Sequence, residues 1–212
     1  MIIAIESAST DLSLALAEPD GTLIADAAWT SRQRQSAELL PHLLQLLDQS
    51  GHRLDQATAL AVGLGPGSFT GLRVAMSLGK GLALSLGRPL VGVPSLEAWL
   101  ASDAAATAAV ARAGASEAYV LRPADAAPHI VERDRLAEII GDHPVVPDEL
   151  AAAFELGSSA SPRRAAAALA RLAAERLAAA PEGDDLRTIE PIYLRAPRGV
   201  HDTPNEGRVT WL

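Results

Sequence analysis

The chain has 212 residues, a net charge of -8, 3% aromatic residues and no cysteine. The last point excludes a disulfide framework, a thiolate metal site and a cysteine nucleophile. Residues 1–100 carry 6 basic and 9 acidic side chains and residues 101–212 carry 12 and 17, so neither half offers the basic balance by which nucleic-acid binders neutralise phosphate.

Hydrophobic residues make up 49%, which is globular, and the scarcity of aromatics leaves a core of Leu, Val, Ile and Ala. The length suits one large domain or two small ones. Met1–Ile5 is too short for a signal peptide, and no run approaches the roughly 18 apolar residues of a membrane span. The expectation is a soluble, cytoplasmic protein.

In chain order, Ile2–Ile5 and the alternating Leu12–Leu16 predict a hairpin around the polar turn Ser7–Asp11. Pro19-Asp20-Gly21 turns the chain into a third strand, Thr22–Trp29. Ser36–Ser50 carries leucines at 39, 40, 43, 44, 46 and 47, a helix whose apolar face is wider than one sheet normally covers. The helix is therefore buried on two sides or meets a partner. A helical turn at Leu54–Ala57 precedes a strand at Ala59–Leu64. A helix follows from Thr70 to Leu86, with Gly71, Ala75, Gly79 and Ala83 recurring every four residues. Glycine costs about 1 kcal/mol per helical site relative to Ala, so this flat stripe needs close packing, either onto the preceding helix or across a subunit boundary. Leu90–Val93 is a strand and Ser95–Ala101 a helix. Three antiparallel strands followed by parallel additions is the actin-like, ribonuclease-H-like order.

The second half is poorer in pattern. Asp103–Ala115 and Ala118–Leu121 predict a second hairpin, Pro123–Pro128 and Asp142–Pro147 loops, and Arg135–Ile140 a short helix between them. Ser161-Pro162 starts a long Ala/Leu helix, Arg163–Ala180. A segment Ile189–Leu194 follows, and from about residue 196 the chain is polar. The organisation expected is an N-terminal unit, 1–100, and a shorter C-terminal unit, 101–212.

Gly63-Leu-Gly-Pro-Gly-Ser-Phe-Thr-Gly-Leu-Arg73 is the most distinctive stretch. Its glycines and proline force a sharp turn, and Ser68 or Thr70 can cap the helix after it. Such a turn suits an anion, and it equally suits a plain strand-to-helix connection. With the oxygen-rich first turn, it makes Ser7, Ser9, Thr10, Gly65, Gly67, Ser68 and Arg73 the candidate phosphate or nucleotide contacts. No catalytic constellation is recognisable. The histidines at 42, 52, 129, 143 and 201 include no pair at helical metal spacing, Ser68 stands in no nucleophile elbow, and Lys80, the only lysine, belongs to no phosphate-binding loop. Catalytic and metal residues are expected to be absent.

Gly65–Arg73 resembles the GPGSFTGLR signature of the bacterial TsaB (YeaZ) family. Ile3–Thr10, Leu39-Leu-Pro-His42, Gly79–Ala83 and Pro191-Ile-Tyr-Leu-Arg195 are also similar to that family. The resemblance implies an actin-like (ASKHA) α/β fold of two related subdomains, each with a mixed sheet and helices. It implies a role in tRNA threonylcarbamoyladenosine synthesis, as the non-catalytic partner of the catalytic subunit TsaD. In TsaD an N-H-x-E-x-H segment supplies two metal-binding histidines; here the corresponding run, Pro94–Trp99, has Ser95 and Trp99 at those places. The implied partners are TsaD and the ATPase TsaE, with a homodimer when TsaD is absent and tRNA reached only through the complex. The implied interface is the first two helices: Leu39, Leu40, Leu43 and Leu47 with Gly71, Ala75, Met76, Gly79 and Ala83. No cofactor is expected on this subunit alone, with ATP or ADP at the complex interface. The second half departs from the family pattern, reading Ala111–Tyr119 where Asp-Ala-Arg and Gly-Glu-Val-Tyr are usual. An actin-like ATPase or kinase, and a glycoprotease-like hydrolase, are the alternatives.

Overall fold

The structure, a computed structural model, describes residues 1–193. Two mixed sheets carry the chain. In the first, β1 (Ile2–Glu6), β2 (Asp11–Ala17) and β3 (Leu23–Thr30) form an antiparallel meander, and β4 (Ala59–Gly63) and β5 (Leu90–Val93) add in parallel. The order is β3-β2-β1-β4-β5, the ribonuclease-H-like order expected. The second sheet is β8 (His129–Glu132), β7 (Glu117–Leu121), β6 (Ala108–Arg112) and β9 (Pro144–Val145), with β9 parallel to β6. Its order repeats the first four positions of the first sheet. The fold is actin-like, built from two related units.

Period-two alternation divides the first sheet between two cores. Ile3, Ile5, Leu12, Leu14, Leu16, Leu60 and Val62 point to the side covered by α1 (Gln35–Gln49) and α2 (Phe69–Leu86). Ile2, Ala4, Ala15, Ala17, Ala59 and Ala61 point to the other side. There α6 (Ala165–Ala179) lays down Ala166, Leu169, Ala170 and Ala173. Small side chains on both surfaces let helix and sheet approach closely. The sequence division at about residue 100 separates the strands of the two sheets, yet α6, from beyond that division, returns to the first sheet. Between the units, α3 (Ser95–Ala101) packs Leu96 and Trp99 against Ala109, Ala111, Tyr119 and Leu121. α4 (Arg133–Ile139) and α5 (Asp148–Phe154) cover the far face of the second sheet through Leu136, Leu150 and Phe154.

Three elements differ from the sequence reading, the first being the strand β8, which follows the expected loop at 123–128. The expected loop at 142–147 contains the two-residue strand β9, and the helix α5 after it carries too little apolar periodicity in seven residues to announce itself. Residues 189–193 form no regular element, although Ile192 N–H donates to Leu64 O, just past the end of β4, at 2.8 Å. Leu194 and Arg195, His201 and the polar stretch from about 196 lie outside the described residues. No helix among the described residues is long and apolar enough to cross a membrane.

Asp11 ties the units together. Its buried carboxylate accepts from Thr30 Oγ1 (3.1 Å), from the Asp148 amide (3.1 Å) and from Ser161 Oγ (3.4 Å).

Candidate functional site

The glycine loop is locked to the β1–β2 turn by backbone contacts. Ser68 N–H donates to Ala8 O at 2.6 Å, and Ser7 Oγ donates to Gly71 O at 2.8 Å. A Cβ on Gly67 would stand 2.1 Å from Ala8 O, and one on Gly71 2.1 Å from Ser7 O. These positions must be glycine because two segments of the backbone touch there. Ser68 caps α2, its Oγ accepting from Gly71 N at 3.2 Å. Gly65, at φ +91, turns the chain back so that its N–H meets Ser95 Oγ (3.0 Å) and its carbonyl receives Ser95 N–H (2.8 Å).

That packing engages most of the expected phosphate contacts within the protein. Ser7 and Ser9 are buried, with their hydroxyls committed to Gly71 O and to Asp11 O. Gly65 is buried, and Gly67 is pressed on Ala8. Arg73 lies 3.9 Å over the Phe69 ring, and its Nε donates to the Tyr193 hydroxyl at 3.2 Å. Thr10 and Ser68 alone among the seven keep a hydroxyl hydrogen on an open cleft, because they line it without donating to a protein acceptor.

Most of the expected interface residues lie inside the protein. Leu39, Leu43, Leu47, Ala75, Met76 and Ala83 are buried in the protein's own core. Gly71 faces the β1–β2 turn and Gly79 the sheet, where a Cβ on Gly79 would stand 2.6 Å from Val62 Cγ1. The flat stripe thus answers to β1, β4 and β5, through which α2 must lie close. Only Leu40 of the nine is exposed, at 39%. Leu44 (48%) beside it, already counted in the wide leucine face, and Leu84 (70%) on α2 are also exposed.

Glu6 closes the inner end of the site. Its side chain is fully buried, Oε1 accepts the Ala8 amide at 2.7 Å, and Oε2 has no hydrogen-bond partner. Ser95 lies close enough to weigh on its acidity but outside bonding geometry to Oε2. Burial dominates and pushes the carboxyl up from 4.5 to about 7. The folded state therefore holds a proton that the unfolded chain releases first. Stability contributed by protonated Glu6 is complete below pH 4.5 and is lost as pH rises through about 7. Glu6→Gln should abolish that slope, which urea denaturation between those limits would detect. A slope unchanged in the variant would assign it to another group.

Between the two units a cleft of about 360 Å³ is lined by Ala8–Thr10, Gly67–Phe69, Trp99 and the β6–β7 turn at Arg112–Gly114. Trp99 is fully buried, with Nε1 unpartnered, and Ser95 is fully buried. Trp99 packs in the core and Ser95 bonds to Gly65, and neither is a metal ligand in character. Among the described residues no group of three His, Asp or Glu side chains is placed to hold a metal ion.

Residues 29–152 match the family model of TsaD, tRNA N6-adenosine threonylcarbamoyltransferase. The chain is 37% identical over 123 residues to the tRNA threonylcarbamoyladenosine biosynthesis protein TsaB of Escherichia coli, covering 56% of this chain and 52% of that protein. It is 34% identical over 96 residues to the Bacillus subtilis TsaB, covering 45% and 42%. The matched stretch thus spans about half the length of these relatives. In fold it is similar to YeaZ from Pseudomonas aeruginosa, with a TM-score of 0.68 at 23% identity over 91% of this chain and 99% of that one.

Proposed function

The chain belongs to the TsaB/YeaZ branch of the TsaD-like family, and from that premise we propose that it is the non-catalytic partner of TsaD in tRNA threonylcarbamoyladenosine synthesis. One observation carries the reading. Where the resemblance places the metal-binding histidines of TsaD, this chain has Ser95 and Trp99, both fully buried and packed. The residues present do not fit a metal, so no step of the reaction is assigned to this subunit. Its negative charge supports the same division of labour, since tRNA phosphates would be met by another subunit.

On this reading the contact with TsaD is made through the exposed leucines of the first two helices, Leu40 and Leu44 on α1 and Leu84 on α2, rather than through the stripe beneath them. The same surface would pair two copies when TsaD is absent. TsaE and ATP or ADP join at the assembled complex, in the cytoplasm.

The test is size-exclusion chromatography with light scattering, on the chain alone and mixed with TsaD from the same organism. A homodimer that converts to a mixed complex is the expected result; a monomer that ignores TsaD overturns the proposal. The double variant Leu40→Glu and Leu44→Glu should fold normally and bind TsaD at least about tenfold more weakly, because a carboxylate in an apolar contact is left unpaired. Undiminished binding would move the contact elsewhere on the surface.

A further inference from the structure

Beyond Ser68 the inter-unit cleft widens into a polar cavity of about 1370 Å³. Several of its groups are already bonded. Asp11 holds Thr30 and the Asp148 amide, and Arg163 lies 3.0 Å from Thr30 Oγ1 and 3.5 Å from Asp148 Oδ2. Three are not. Arg32, between β3 and α1, and Glu149, in the first turn of α5, make no ion pair or hydrogen bond among the described residues. Gln35 is only 5% exposed and lines the cavity, and its carboxamide has no hydrogen-bond partner among the described residues. Its amide atoms are not closed off from the cavity, so they are available to an acceptor or donor from outside the chain.

Gln35 also opens α1, a helix of 15 residues that no side chain caps. Its positive end, where the amides of Gln35 and Ser36 have no acceptor among the described residues while those of Ala37 and Glu38 bond Arg34 O, lies at the cavity wall. Gln33, at φ 59, holds the left-handed turn that sets Arg32, Gln33 and Gln35 along one wall. Glu149 stands on the second unit, across the cavity.

We propose that this cavity binds a small zwitterion, a free amino acid or a short peptide. The carboxylate is taken by Arg32, the Gln35 carboxamide and the start of α1; the ammonium is taken by Glu149. A simple oxyanion would engage only the wall of Arg32 and Gln35, and a simple cation only Glu149. A zwitterion satisfies both walls. The free hydroxyls of Thr10 and Thr70 line the space for the rest of the ligand. The inference goes beyond the partner role and does not depend on it, because binding is read on the isolated chain.

The test is titration calorimetry of the full chain with glycine, triglycine, N-acetyl-triglycine and triglycine amide. Saturable binding of glycine or triglycine is expected, and which of the two binds more tightly identifies the source as amino acid or peptide. Each cap should weaken binding at least about tenfold. Arg32→Gln should weaken triglycine as the amide cap does and leave the amide's own affinity unchanged; Glu149→Gln should mirror this with the acetyl cap. Both residues are exposed, so folding, checked by circular dichroism, should be unaffected. Absence of binding by both uncapped probes at millimolar concentration overturns the proposal, as does binding indifferent to the caps or to both substitutions.

Discussion

Leu43→Glu is expected to prevent folding rather than to sever a subunit contact. Leu43 is fully buried, in the core that α1 shares with Ile3, Ile5, Leu14 and Val62. A carboxylate there would be unpaired and desolvated, at a cost of several kcal/mol. That is a large part of the 5–15 kcal/mol that keeps a typical domain folded. Far-UV circular dichroism and urea denaturation would show the loss. Leu40→Glu, one turn away on the exposed side, should fold as the parent does. If Leu43→Glu instead folds with unchanged stability, α1 does not pack as described.

A comparable loss is expected from the smallest substitution available, Gly71→Ala. The added methyl would meet the Ser7 carbonyl oxygen at 2.1 Å, and both partners are backbone. Relief requires moving the start of α2 or the turn between β1 and β2, and overpacking of this kind costs about 1–3 kcal/mol or more. Gly81 in the same helix is the control. Nothing lies within 4 Å of a Cβ there, so Gly81→Ala should raise stability by about 1 kcal/mol from helix propensity alone. Thermal denaturation of the pair should move in opposite directions. A similar shift in both would mean that Gly71 is not pressed against Ser7.

The contrast explains what could be read in advance. Strand order in the first half was legible because period-two alternation, a turn at Pro19–Gly21 and a cap at Ser68 agree with one another. The glycine loop was legible as a turn, but a sequence does not say what a glycine approaches. At 67 and 71 it is the neighbouring backbone rather than an anion. The stripe on α2 showed the same limit: close packing followed from composition, its partner did not, and the partner is the sheet beneath. Arg32, Gln33, Gln35 and Glu149 escaped notice because they are ordinary polar residues, and only the folded arrangement of two distant segments gives them a common cavity. α5 was missed because seven residues carry too few turns for a periodic signal.

Asp11 has a mechanical consequence. One carboxylate grips its own sheet through Thr30 and the other unit through Asp148 and Ser161. Swinging the units apart would strip those donors from a buried charge, at a cost of several kcal/mol. The cleft therefore behaves as a jaw of fixed gape rather than one that snaps shut. Anything lodged between the units must enter through the existing mouth, so selection falls on the size and shape of the entrant.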